Sequence, residues 1–210
     1  MKYILIDTNN LKFCSLQTKE NNNPDTLVSL KEILSSNSED VILLLPEVVK
    51  LEYYRVIEEA FIEEIQNKLG KVKHFISEDN ENFPLHLKEP IESKIDEIKD
   101  TKKKIKERAK KCFDEILELD NSVEIPLSSE ILVKSEKRRI KKAPPSEGTH
   151  QQDQDCYIIE SVKSYFNDND ITKNSLLIFC SNDTGFLQKD NENYVLHKDI
   201  EKYFNIEINY

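Results

Sequence analysis

Short apolar blocks alternate with longer amphipathic stretches along the chain. Residues 2–6, 41–45 and 175–180 are nearly uninterrupted apolar runs, which is typical of strands that are buried on both faces. Between them, apolar side chains recur three and four positions apart, which predicts helices. Strands that alternate with helices favour a central parallel sheet covered by helices on both faces, so we expect a three-layer α/β/α fold.

Four stretches have the clearest helical spacing, and proline-containing or polar breaks separate them. They are residues 24–36, a long helix from Pro46 that ends near Gly70, residues 126–140 and residues 155–166. Residues 71–125 are charged and largely helical in pattern, so we interpret about 71–140 as a helical insertion in a single domain spanning residues 1–210. Residues 194–196 and 206–208 predict short strands.

The composition indicates a charged, globular protein. Charged residues make up 33% of the chain and the net charge is -10, which argues against a surface coated with nucleic acid. Two basic runs, residues 99–111 and 134–142, stand out, and a solvated helix face is the ordinary explanation for the first. There is no CxxC pair, no signal-peptide core and no run long enough to span a bilayer, so we expect reduced cysteines, a cytoplasmic location and no membrane association.

Two acids follow predicted strands in the same way. Asp7 comes directly after the first apolar run, and Asp183 follows the third by a few residues. Each alone is more often a turn former or a helix N-cap. Because the carboxyl ends of parallel strands meet at one edge of the sheet, we expect the pair to lie close together.

Two further acids lie on the apolar faces of predicted helices. Glu52 shares a stripe with Val48, Val49 and Val56, and Asp155 heads a stripe that continues into the helix behind it. A buried carboxylate needs a partner, although Asp155 is also explained by the dipole of the helix N-terminus. Glu47 and Asp153 are the neighbouring alternatives in the first helical turns.

Four acids at one edge of a sheet would repel one another without a cation among them. Oxygen ligands suit Mg²⁺ or Mn²⁺, and the scattered histidines do not offer a zinc site. Such a metal commonly serves phosphoryl chemistry, since it lowers the pKa of an attacking water. The chain has no nucleotide-binding glycine loop of the G-x-x-x-x-G-K-[ST] or G-x-G-x-x-G type, so an NTPase or a dinucleotide enzyme is not indicated.

The order of these acids resembles the PIN domain nucleases, which have four acids on a Rossmann-like chain. ILIDTNNL is similar to the first motif of that family, with Asp7 and its companion Asn9. LLLPEVVKLEY, QDQDCYIIESV and IFCSNDTGF are similar to the segments that carry the other three acids. The resemblance covers residues 3–187 and implies catalysis and metal binding by Asp7, Glu52, Asp155 and Asp183, with support from Asn9, Ser181 and Asn182.

The resemblance is closest to a PIN-like subgroup with a long helical insertion, a basic stretch and a Pro-Pro loop before the third acid. KSEKRRIKKAPPSEG fits that description. It implies nucleic-acid binding, with the arginines as bidentate forks and the lysines as point charges, by Lys137, Arg138, Arg139, Lys141 and Lys142. Gln154 stands where this subgroup often has glycine, which leaves open whether Asp153 or Asp155 faces the metal.

Three functional hypotheses follow from the sequence. The first is a metal-dependent endoribonuclease, since similar PIN proteins act in RNA processing, as toxins or in defence; a DNA substrate, a protein partner or inhibitor and a homo-oligomer stay open. The second is a PIN-like module that binds nucleic acid or protein without cutting, which the presence of all four acids disfavours. The third is a haloacid dehalogenase-type phosphoryl-transfer enzyme, which needs an aspartate where this chain has Asn9.

Overall fold

The protein is a three-layer α/β/α sandwich. The computed structural model describes residues 1–16, 25–63, 69–78, 84–146, 153–171, 174–181, 183–190, 193–204 and 207–209. The strands are β1 (Lys2–Ile6), β2 (Val41–Pro46), β3 (Ser122–Ile125), β4 (Leu176–Cys180), β5 (Leu187–Asp190), β6 (Asn193–Leu196) and β7 (Glu207–Asn209). The helices are α1 (Thr8–Leu16), α2 (Asp25–Ser36), α3 (Glu47–Glu63), α4 (Gly70–Glu78), α5 (Leu85–Leu117), α6 (Ser129–Ile140), α7 (Asp153–Asp168) and α8 (Lys198–Phe204).

The central sheet is parallel, with the strand order β3-β2-β1-β4-β7. β1 lies in the middle, where Tyr3 is opposite Ile42 on one side and Leu177 on the other. At the carboxyl end, Ile6 is opposite Cys180. The predicted parallel sheet is therefore confirmed, and the ends of β1 and β4 are neighbours.

The direction of the chain across the sheet assigns the helices to two layers. The chain moves from β1 to β2 and β3 and then returns to β4, so right-handed crossovers place α1, α2, α3 and α5 on one face and α6 and α7 on the other. The contacts agree with this, because α1, α2, α3 and α5 pack on one another while α7 packs on α6 and α8. Tyr53 and Phe113 fill the first layer with ring centroids 4.1 Å apart.

The structure departs from the predicted elements where local pattern was ambiguous. A helix, α1, follows β1 directly and was not among the predicted helices, and β3 adds a strand to the interval predicted as a helical insertion. Gly70 begins α4, although we expected it to end the preceding helix. β5 and α8 were not predicted. No helix in the described ranges is both long and apolar enough to cross a membrane.

Candidate active site

The carboxyl ends of β1 and β4 bring the first and fourth acids together. The backbone N–H of Asp7 donates to the Cys180 carbonyl at 3.1 Å, which continues the pairing of the two strands by one residue. Asp7 then begins α1, since the Leu11 N–H donates to its carbonyl at 3.1 Å. The parallel register therefore fixes Asp7 beside the segment that carries Asp183.

Ser181 links these two acids. Its hydroxyl donates to Asp7 Oδ2 and accepts the Asp183 N–H at 3.0 Å. Asp7 is buried, and its Oδ1 also accepts the Asn10 N–H at 2.8 Å. Burial raises the pKa of Asp7, and the charges of Asp183 and Glu52 act in the same direction, whereas the two hydrogen bonds oppose them. The hydrogen bonds thus fix the orientation of the Asp7 carboxylate, while burial and the neighbouring charges disfavour its ionised form.

Asp183 opens a single turn of 3-10 helix, Thr184–Phe186. Its Oδ1 accepts the Gly185 N–H at 2.7 Å, which is the capping interaction that a strand-end aspartate usually makes. Phe186 is fully buried and packs edge-to-face on Phe179 of β4, with ring centroids 4.9 Å apart. The aromatic contact holds the turn, and with it Asp183, against the sheet.

Glu52 reaches the same place from α3. Its Oε2 accepts a hydrogen bond of 2.7 Å from Thr8 Oγ1, which ties α3 to the start of α1. With its amide nitrogen turned toward Glu52, Gln154 donates to both carboxylate oxygens at 2.5 and 3.2 Å. We predicted that Glu52 shares the apolar stripe of this helix, but the most buried stripe of α3 is Val49, Tyr53 and Ile57, and Glu52 stands at the edge of the core.

Asp155 lies in the first turn of α7, with Ile158 and Ile159 buried behind it. Its pKa is raised to about 7, first by burial and then by the charges of Asp183, Asp7 and Glu52. No hydrogen bond from the described residues lowers it. Burial and the three neighbouring carboxylates therefore both favour the protonated form of Asp155.

These side chains line one cavity of about 200 Å³. Its lining consists of Asp7, Thr8, Asn9, Glu52, Gln154, Asp155, Ile158 and Asp183. The structure thus brings together the four predicted acids and Asn9, with Ser181 directly behind. Asn182 and the side chain of Asp153 lie outside the described residues. Glu47 is directed elsewhere, because its Oε2 accepts the Leu127 N–H at 2.7 Å.

The donor chemistry of this cavity fits a hard divalent cation. Four carboxylates supply the oxygen ligands that Mg²⁺ and Mn²⁺ prefer. A cation would relieve the repulsion that, after burial, raises the pKa of Asp155. Among the described residues, no three acid, imidazole or thiol groups already converge as a complete set of ligands. The four acids nevertheless share one cavity.

Two polar residues of this cavity were not recognised as contributors from the sequence. Thr8 gave no signal beyond its place next to Asp7, and its partner Glu52 is 44 positions away. Gln154 stood out only as a departure from glycine. Both contacts join separate helices, so only the packing of α1, α3 and α7 reveals them.

The structure divides the predicted nucleic-acid contacts. Arg138 is only 8% exposed, and its guanidinium donates to Glu160 Oε1 at 2.7 Å and to the Pro144 carbonyl at 2.6 Å. Such a buried, paired side chain does not offer a fork to a substrate phosphate, which contradicts the prediction that Arg138 contacts nucleic acid. Arg139 is on the surface, where it donates to Glu136 Oε2 at 2.8 Å. Lys137, Lys141 and Lys142 are exposed.

Comparison with known protein families identifies a family for this chain. A family model described as a PIN domain matches residues 4–186. A search of curated proteins finds no significant match, and a search of solved structures finds none either. The matched segment begins in β1 and ends at Phe186, so it includes all four acids of the cavity.

Proposed function

The chain belongs to the PIN domain family, whose members are typically nucleases, and from that premise we propose that it is a metal-dependent endoribonuclease. The single observation that supports this most is the acidic cavity. Four carboxylates from four separate parts of the chain line it, at the edge of the sheet where ligands of parallel α/β proteins bind. The preference for RNA over DNA rests on the family resemblance alone.

Asp7, Glu52, Asp155 and Asp183 are the proposed ligands of Mg²⁺ or Mn²⁺. When bound, such an ion lowers the pKa of an attacking water and neutralises charge on the departing oxygen of a phosphodiester. Thr8 and Gln154 fix the direction of the Glu52 carboxylate, and Ser181 fixes Asp7 relative to Asp183. These neighbours would hold the acids in place while charge develops on the substrate.

The test is a cleavage assay on RNA, single-stranded DNA and duplex DNA, each with Mn²⁺, Mg²⁺ or EDTA. The parent protein is compared with Asp7→Asn, which keeps the shape of the side chain but removes a charged ligand. We expect metal-dependent cleavage of RNA by the parent and none by the variant. A matched control is Asp100→Asn, the same change on the exposed surface of α5, which should cut as the parent does.

Two outcomes would contradict the proposal. Equal cleavage by the parent and Asp7→Asn would show that the acidic cavity does not take part in cleavage. Binding of nucleic acid without cleavage under any of the metal conditions would instead favour the alternative function, a PIN-like module that binds without cutting. Cleavage of DNA in preference to RNA would retain the nuclease and change its substrate class.

A further inference from the structure

A second cavity, of about 370 Å³, lies between α6, α7 and α8. One side of it is a basic stripe on α6 and the residue after its end, spaced three and four positions apart: Lys134, Lys137, Arg138 and Lys141. Glu160 of α7 and Asp199 and Tyr203 of α8 form much of the remainder. We call this cavity the α6–α8 groove. A concave basic surface focuses the field of its charges more than a convex helix face does.

The charges within the α6–α8 groove do not cancel. Four basic and two acidic side chains line it, on a chain whose net charge is -10. Lys134 is paired with Glu130 at 2.7 Å and Arg138 with Glu160 at 2.7 Å, so Lys137 and Lys141 carry the excess positive charge. Glu160 is already engaged, because Arg138 and the Tyr203 hydroxyl both donate to it, the latter at 2.6 Å. Lys137 and Lys141 are exposed at the rim. The groove is therefore a local excess of positive charge on an acidic protein.

The floor of the groove is rigid. Arg138 donates to Glu160 and to the Pro144 carbonyl, and its guanidinium carbon lies 4.3 Å from the centre of the Tyr203 ring. These contacts join α6, the loop after it, α7 and α8 at one point. Lys137 and Lys141 lie one turn apart on this fixed support, which lowers the entropic cost of presenting both to one ligand.

The groove also has a fixed relation to the acidic cavity. The Ser135 hydroxyl donates at 3.2 Å to the carbonyl of Cys156, the residue next to Asp155. Asp155 and Glu160 are five positions apart on α7, which corresponds to about 7.5 Å along the helix axis and about 140° around it. The two cavities are therefore lined from different sides of the N-terminal half of α7.

We propose that the α6–α8 groove binds phosphate groups of nucleic acid, as a second contact site for the strand that enters the acidic cavity. This inference rests on the proposed function, and it assigns the binding to the groove lysines only. Lysine presents a compact charge with three donors, which suits backbone phosphates without regard to sequence. Arg138 supports the groove from below, and Arg139 and Lys142 lie outside its lining.

The experiment compares two double variants with the same change in net charge. Lys137→Glu/Lys141→Glu reverses two groove lysines, and Arg139→Glu/Lys142→Glu reverses two neighbours outside the groove. Binding of a fluorescent RNA oligonucleotide is measured by anisotropy in EDTA, over a range of salt concentrations. We expect the groove variant to lose at least about tenfold in affinity and its salt slope to fall by about 1.4, or about 0.7 for each lost contact. The control should lose less than about threefold, through the long-range field alone.

Equal losses in the two double variants would overturn the proposal, since the effect would then follow net charge and not position. Retained binding in the groove variant would overturn it as well. Both variants must show the thermal unfolding midpoint of the parent, which is expected because the four side chains are exposed. If that control fails, the milder Lys137→Gln/Lys141→Gln pair is compared with Arg139→Gln/Lys142→Gln.

Oligonucleotides with a 5′-phosphate or a 5′-hydroxyl distinguish the two sources of the phosphate. If the parent binds the 5′-phosphorylated oligonucleotide more tightly and the groove variant does not, the groove binds a terminal phosphate. If the parent binds both oligonucleotides equally and the groove variant binds both more weakly, the groove binds internal backbone phosphates. Either result supports the proposal. The fate of the proposed function is separate, because binding is measured without metal. If the protein binds RNA through the groove but never cleaves it, the groove proposal stands and the proposed nuclease function does not.

Discussion

Replacing Asp155 with asparagine should stabilise the metal-free protein at alkaline pH. Burial and the charges of Asp183, Asp7 and Glu52 raise the pKa of Asp155 from 3.8 to about 7. The folded protein therefore holds this proton more tightly than the unfolded chain does. As a result, the free energy of unfolding falls as the pH rises from 3.8 to about 7. Above about pH 7 Asp155 is ionised in the folded protein too, and the loss of stability is complete.

The magnitude follows from the same pKa. A rise from 3.8 to about 7 is equivalent to about 4 kcal/mol once Asp155 is fully ionised. The cavity is open to solvent, and a neighbouring carboxylate can take up a proton when Asp155 does not, so only part of this penalty is realised. We expect Asp155→Asn to gain about 1–2 kcal/mol at about pH 8, which raises the Tm by about 2–8 °C for a chain of this size.

Thermal unfolding in EDTA, followed by circular dichroism, measures this gain at about pH 8 and at about pH 5. The gain at the lower pH should be less than half as large, because the parent then carries the proton for much of the time. Asp100→Asn on the surface of α5 is the matched control and should change the Tm at neither pH. Excess Mn²⁺ should raise the Tm of the parent more than that of Asp155→Asn. An equal gain in Tm at both pH values, or no gain at about pH 8, would refute the explanation that burial and neighbouring charges destabilise ionised Asp155.

Three further predictions concern neighbouring contacts. Thr8→Val should reduce metal affinity or cleavage by about 10–100-fold, since Glu52 loses a donor, and Thr8→Ser should restore it; metal titration and cleavage rates check both. Gln154→Ala should act in the same direction, and a variant as active as the parent would show that this amide does not position Glu52. Arg138→Met should cost about 3–5 kcal/mol in urea unfolding because it leaves Glu160 buried without its cation, and Arg138→Met/Glu160→Gln should recover much of that loss.

The parallel sheet and the positions of its acids could be predicted from the sequence. Uninterrupted apolar runs identify β1, β2 and β4 because strands covered on both faces need no polar side. Acids at the ends of two such strands must then meet at one edge. β3 escaped prediction because only four residues form it and its apolar pattern is weak, so that pairing with β2 decides its conformation.

The amino-acid sequence by itself determined the layered fold and identified the four candidate acids, because periodicity and side-chain type are local properties of the chain. Only the tertiary structure decided how those acids are held. Thr8 meets Glu52 across 44 positions, and Arg138 leaves the basic run to pair with Glu160. Helical periodicity predicts the face on which a residue lies but not the partner that packs against it. The sequence therefore could not show that Arg138 is buried while the lysines beside it are exposed.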